Sequence, residues 1–537
     1  MSAALSRRGL LTAAATLAGA SYLPPLRFIH PALAAGPTTI TAGSRVLDVN
    51  GRSATVLGLR QPDGAHGLVI DVSQPFRVNL VNEIGQPTLI HWHGLTPPYQ
   101  QDGVPGISGP AIPPGGQASY DFPLAFPGTF WMHSHQGLQE QTLLAAPLII
   151  HGPEDRRKDR QEIVLMLHDF TFKSPQEIYT ALRQGTSAET GTPTGQTPPK
   201  AGDGMAGISM GNVSGMAEQP MLGMNQKSGM GAMGMATPNP EQKSASPGAM
   251  PGMNMGRHGG TGASGIVMDL NDVAFDAFLA NDRTLSDPEI IRVEPGGRVL
   301  LRIINGSAAS NFFVELGGLQ ADLVAVDGHA VQPVRSSRFP IAIAQRIDLA
   351  VQLPRDQNAW PVLAVLEGER RRTGIVLAST KARINKIGDT ASDAVSALNF
   401  AFEGALRARH GLPARKADRV HQLELTGSMQ GYVWGLNGHT YPDAPPLMVK
   451  KGERVEIAMR NTTMMSHPMH LHGHFFQVVA VNGRRFAGAV RDTVLVPPMT
   501  TGTIAFDADS PGKWAFHCRN LYHMEAGMMT TVQYATL

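Results

Sequence analysis

Two blocks of this chain recur at fixed distances, and that recurrence constrains the fold more than any other feature. Leu323-Val324-Ala325-Val326-Asp327-Gly328 returns 155 residues later as Val478-Val479-Ala480-Val481-Asn482-Gly483. Pro127-Gly128-Thr129-Phe130-Trp131-Met132-His133 returns 384 residues later as Pro511-Gly512-Lys513-Trp514-Ala515-Phe516-His517. Repeats this far apart indicate duplicated domains rather than short stacked units. Strand signals repeat with them. Phe76-Arg77-Val78-Asn79-Leu80 and Val455-Glu456-Ile457-Ala458-Met459 alternate apolar and polar residues, and Arg298–Asn305 sets Val299, Leu301 and Ile303 on one face. Each segment is followed by an asparagine: Asn82, Asn305 and Asn461. The reading is all-β, with three β-sandwich domains over residues 37–154, 160–383 and 415–537 and a connector over 384–414. Only 16% of residues are charged, against 59 Gly and 40 Pro, which suits a turn-rich β protein.

Two segments stand outside this pattern. Ser6-Arg7-Arg8-Gly9-Leu10-Leu11 sets a twin arginine before an apolar stretch, and Ala32-Leu33-Ala34 supplies small residues for cleavage. Residues 1–34 therefore read as a twin-arginine export signal that sends the folded protein to the periplasm. No later run approaches the ~18 apolar residues of a membrane span. Residues 185–265 are rich in Gly, Pro, Ser and Met without periodicity, and eleven of the chain's 25 Met fall within 205–255. That composition is expected to form a disordered insertion in the second domain. A net charge of +2 predicts no nucleic-acid partner. The single Cys excludes an intrachain disulfide and any four-cysteine metal site.

The chemistry lies in four histidine clusters. They are His91-Trp92-His93, His133-Ser134-His135, His467-Pro468-Met469-His470-Leu471-His472, and His517-Cys518 followed by His523 and Met528. Residues i and i+2 of a strand share a face, so each His-x-His can aim two imidazoles at one site. A thiolate with two imidazoles and a weak thioether is a blue-copper donor set.

On these motifs the chain resembles the three-domain multicopper oxidases, in particular the bacterial copper-resistance branch. Gly128 to Gln141 and Leu521-Tyr522-His523-Met524-Glu525 carry the closest likeness. The resemblance implies cupredoxin-like Greek-key domains and copper of types 1, 2 and 3. It implies one-electron oxidation of Cu(I) or small phenols coupled to reduction of O2 to water, in a monomer serving copper tolerance. It assigns Cys518, His467, His523 and axial Met528 to type-1 copper and His91 and His470 to type-2 copper. His93 and His133 fall to one type-3 copper, and His135, His472 and His517 to the other. It also places an acid at Asp102 for proton delivery, and makes the Cys518–His517 neighbours the bonded electron path. The second domain sets Phe312, Glu315 and Gly317 opposite His467, His470 and His472, so it keeps the fold without the ligands. His329 is expected on its surface.

One position departs from the family. Where His-Cys-His is expected, the chain reads His517-Cys518-Arg519. Arginine has no lone pair for a metal and keeps its charge. The type-3 copper of His93 and His133 is therefore expected to lack its third ligand, and two cations would sit close in that pocket unless Arg519 turns away, as onto a carboxylate, or the copper is absent. An impaired cluster raises an alternative, a periplasmic copper-sequestering protein without turnover. The Met-rich segment offers soft thioethers for Cu(I) under either reading.

Overall fold

The computed structural model describes residues 36–185 and 270–535. The expected export signal at 1–34, nearly all of the Met-rich insertion and the last two residues lie outside the described residues. The chain is all-β, and its strands form three pairs of sheets in sequence order. The first pair joins a sheet ordered Arg52–Arg60, Thr38–Val49, Phe76–Asn82, Gln117–Phe122 with one ordered Leu68–Asp71, Ala145–His151, Gly128–Ser134, Ile90–His93. Their inner faces share a core containing Phe76, Trp92, Phe130 and Leu148.

The repeats seen in the sequence are repeats of topology. Thr38–Val49 runs parallel to Phe76–Asn82, Gln161–Phe170 to Arg298–Asn305, and Arg419–Ser428 to Arg454–Asn461. The Asp327-Gly328 and Asn482-Gly483 dipeptides both have positive φ at both residues, as tight hairpin turns require. The asparagines that close the three strands do one job three times. Asn82, Asn305 and Asn461 donate their amides to the carbonyls of Ile112, Ser310 and Met465 at 2.9, 2.9 and 2.7 Å. Each also accepts a backbone N–H two residues on. In the third pair the same Asn461 amide reaches Val496 on the opposite sheet at 3.0 Å. All three are buried. Asn305→Ala should cost about 1–3 kcal/mol, because it orphans buried carbonyls. The shift in denaturant midpoint of the purified variant measures this.

Two expectations need correction. Arg298–Asn305 is buried on both faces beyond its first residue, not on one. Its second face is covered by the first sandwich, where Ile304 packs with Trp131 and Ala145. His329 is half-buried rather than fully at the surface. Its ring lies between Phe126 and Phe475, at centroid distances of 4.7 and 4.4 Å, because the second domain is packed against both neighbours there.

The connector holds only a short helix, Phe400–Ala405, capped by the Asn399 side chain. A helix at Pro175–Gln184 was not anticipated. Its start is written as Ser174-Pro175-Gln176-Glu177, a capping box in which Ser174 and Glu177 satisfy each other's backbone N–H. Among the described residues no helix is long and apolar enough to cross a membrane.

Candidate metal centre

Four strands and one short helix deliver most of the expected donors; His135, His472 and Met528 lie in the turns just beyond them. His91 and His93 lie on Ile90–His93, and His91 sits opposite His133 on the neighbouring strand. His467 and His470 lie on His467–Leu471. There Met469 faces Cys518, and His470 faces His517, across the ladder to Lys513–Cys518. His523 rides on the helix Leu521–Glu525, whose first N–H groups are capped by Asn520. Neighbours on a strand point to opposite faces, so His517 and Cys518 enter two different sites back to back. The odd spacing of His467 and His470 divides them in the same way.

The first site is mixed in sulfur and nitrogen. Cys518 Sγ lies 3.7 Å from Nδ1 of both His467 and His523, and these nitrogens are 3.2 Å apart. Met528 is buried beside them. Its carbonyl accepts the Cys518 N–H at 3.0 Å, and its own N–H donates to the His523 carbonyl. Trp434 stacks on His523 at 4.1 Å. Asp272 Oδ2 lies 3.3 Å from His523 Nε2 and accepts the Tyr432 hydroxyl. Burial pushes the Cys518 thiol up to about 12; ionising it in this setting calls for a bound cation.

The second site holds seven buried histidines. Their donor atoms cluster as His91 with His93 and His133, His91 with His470 and His472, and His135 with His472 and His517. The hydrogen bonds fix the tautomers. Nδ1 of His91, His133, His470 and His517 donates to the carbonyls of Asp102, Ser134, Asp492 and Cys518 at 2.8–2.9 Å. His472 Nδ1 donates to Asp102 Oδ2 at 2.8 Å, and His93 is held from Nε2 by Asp492 Oδ1 at 3.1 Å. For these six rings the acceptors leave only lone pairs on the inward nitrogens. Yet the inward nitrogens face one another: His472 and His517 at 2.9 Å, His135 and His517 at 3.3 Å, His91 and His470 at 3.4 Å, and His93 and His133 at 3.4 Å. Protonation is no remedy, since burial drives His133 and His472 down to about 4 and holds His93, His135, His470 and His517 well below the usual imidazole range. Converging lone pairs on neutral rings repel unless a shared cation lies between them. The donor set therefore fits copper, and six of the seven rings are already held by an acceptor on the outward nitrogen.

Asp102 is fully buried between His91 and His472. Burial opposes its ionisation, but the charges and hydrogen bonds of His472 and His91 outweigh it and hold the carboxyl well below its usual range. Its Oδ1 lies 3.3 Å from His91 Nδ1, whose N–H points mainly at the Asp102 carbonyl. The adjacent Gly103 is required: φ is +85°, and a Cβ there would sit 1.9 Å from the Ile90 carbonyl oxygen.

Arg519 is buried and turned onto a carboxylate. Its Nη2 donates to both oxygens of Glu140, at 2.7 and 2.8 Å, and its guanidinium lies 5.4 Å from the centre of the Trp131 ring. Glu140 also lies 3.0 Å from His133 Nδ1. Burial favours the neutral acid, but the Arg519 charge and the His133 contact outweigh it and hold Glu140 down to about 2. Arg519 Nε and Nη1 have no hydrogen-bond partner among the described residues. Four residues of this surround were not singled out from sequence: Glu140, Asp272, Arg346 and Asp492. Glu140 lay unassigned inside the Gly128 to Gln141 stretch. For Asp492, the only signal was a charged Arg491-Asp492 pair inside an apolar run. Glu525, an acid beside His523, is exposed.

A sandwich-built chain with one sulfur–nitrogen site joined through adjacent residues to an all-nitrogen cluster defines a copper redox protein. Family models described as multicopper oxidase match residues 65–155, 250–382 and 415–536. The multicopper oxidase MmcO of Mycobacterium tuberculosis (strain ATCC 25618 / H37Rv) is 30% identical over 85% of this chain and 79% of its own. Copper resistance protein A of Escherichia coli is 26% identical over 84% and 85%. Among solved structures, the multicopper oxidase Fet3p superposes with a TM-score of 0.66 at 18% identity, covering 93% of this chain and 90% of its own. A laccase-like CueO from Ochrobactrum sp. gives 0.63 at 17%, covering 95% and 100%. The chain belongs to the multicopper oxidases, oxygen-dependent oxidoreductases that use copper of types 1, 2 and 3.

Proposed function

We propose that this chain is an exported, periplasmic oxidase of Cu(I) and small phenols that serves copper tolerance, with one half of its type-3 pair lacking a ligand. Cys518, His467, His523 and Met528 would hold the type-1 copper. His91 and His470 would hold type 2, His135, His472 and His517 one type-3 copper, and His93 and His133 would be left with the other. Copper at these positions supplies one-electron oxidation of substrate at the first site and reduction of O2 to water at the second.

The chain's own residues do the rest. Cys518 and His517 join the two sites through one peptide bond. Trp434 covers His523 and keeps water from that face. Asp102, ionised and held by His472, stands beside the cluster to hand on protons. The observation that carries this reading is the back-to-back placement of Cys518 and His517 on one buried strand. The substrate class rests on the relatives named for copper resistance and on the Met-rich composition of 205–255.

The test is copper loading followed by optical spectra and oxygen uptake with Cu(I) or a phenol. The expected outcome is a blue band, with oxygen uptake that depends on either reductant. Cys518→Ser should abolish the band and lose substrate oxidation, while the histidine cluster still takes copper. A loaded wild-type chain that turns blue and consumes no oxygen is the sequestering protein that Arg519 brings into contention, and the oxidase reading then fails.

A further inference from the structure

The second sandwich adds no imidazole to either donor set, among the described residues. It nevertheless reaches the cluster's surround: Gln345 donates to the Thr493 carbonyl at 3.1 Å, and the next residue pairs with Asp492. Arg346 is the first residue of the strand Arg346–Gln352 and is fully buried. Its Nη1 donates to Asp492 Oδ1 at 2.8 Å, and its Nη2 pairs with Asp492 Oδ2. The guanidinium is fixed in turn. Nε donates to the Thr129 carbonyl at 3.2 Å, Nη1 to the Ala344 carbonyl at 3.0 Å, and the backbone N–H to Asp327 Oδ1 at 2.9 Å.

Asp492 then holds two histidines from different domains. Its carboxylate accepts from His93 Nε2 at 3.1 Å, and its carbonyl accepts from His470 Nδ1 at 2.8 Å. The chain makes room for this fork. Gly94, next to His93, has φ +88°, and a Cβ there would lie 2.5 Å from Arg346 Nη2 and 2.8 Å from Asp492 Oδ2. One arginine thus sets the carboxylate that sets the rings of a first-domain and a third-domain donor.

We propose that Arg346 is a positioning residue for the nitrogen cluster, so that the second domain orients copper ligands it does not supply. The inference rests on the proposed role of His93 and His470 as copper ligands. A planar fork is needed to fix both Asp492 oxygens at once; an ammonium is a point charge and leaves the carboxylate free to swing.

The experiment uses the full chain loaded with copper and follows copper content, the blue band and the type-2 spin-resonance signal. Arg346→Lys should keep the blue band. It should lose or broaden the type-2 signal and bind cluster copper about 10- to 100-fold more weakly, as loss of an outer-shell partner does. Arg346→Met combined with Asp492→Leu replaces the ion pair with apolar volume and guards against a folding failure. It too should stay blue and lose the type-2 signal. An unchanged type-2 signal and copper affinity in Arg346→Lys overturns the inference alone. Loss of the blue band together with everything else in both variants marks a merely structural arginine and also overturns it. A wild-type chain that takes no copper beyond the blue site overturns the proposed ligand roles, and this inference with them.

Discussion

Arg519→His should add one copper per chain and raise oxygen consumption by at least about tenfold. The lower bound is the effect of losing a mere outer-shell partner, and a ligand counts for more. Position 519 is the third-domain counterpart of His135, and its N–H is anchored on the Pro468 carbonyl at 2.7 Å, so an imidazole there starts from a fixed backbone. In the wild type the side chain is drawn off by Glu140. His93 and His133 then offer two inward nitrogens, against three from His135, His472 and His517. A positive guanidinium also stands near that position and disfavours a second cation. Metal counting and oxygen uptake on both chains, at equal blue absorbance, give the comparison. Equal copper and equal turnover would show that the missing ligand does not matter.

Glu140→Gln should destabilise the copper-free chain by about 3–5 kcal/mol, the usual cost of stripping one partner from a buried ion pair. Arg519 already carries two unpartnered nitrogens, so Glu140 is its only charge partner among the described residues. A glutamine would remove the charge, and its amide can meet the guanidinium donor-to-donor. Most of the loss should vanish when Arg519→His is introduced as well, because no buried cation then remains to be paired. Denaturant midpoints of the wild type, both single variants and the double variant give the coupling. Equal losses in the two backgrounds would show that Glu140 acts through His133 rather than through Arg519.

What could be read from sequence follows from what each contact requires. Copper demands His and Cys at fixed strand spacings, so His91-Trp92-His93, His133-Ser134-His135 and His517-Cys518 were visible as chemistry before any fold. The duplicated Asp327-Gly328 and Asn482-Gly483 hairpins and the strand-closing asparagines made the domain repeat visible for the same reason: their geometry is local. The outer shell was not legible. Glu140 is 379 residues from Arg519, and Arg346 is 146 from Asp492. A lone charged residue has no spacing that announces its partner. The partial burial of His329 was missed because it depends on Phe126 and Phe475, which come from two other domains. The resemblance exposed Arg519 as a misfit; where its charge goes required the fold.

The central claim is that the type-1 site and most of the cluster are intact while one type-3 position is not. Copper stoichiometry of the fully loaded wild-type chain, read with its optical and spin-resonance spectra, tests it most directly. About three copper ions per chain should bind, one in the blue sulfur–nitrogen site and the rest in nitrogen-only sites, with no spectrum of a coupled type-3 pair. A full complement of four, with a coupled pair beside Arg519, would contradict it.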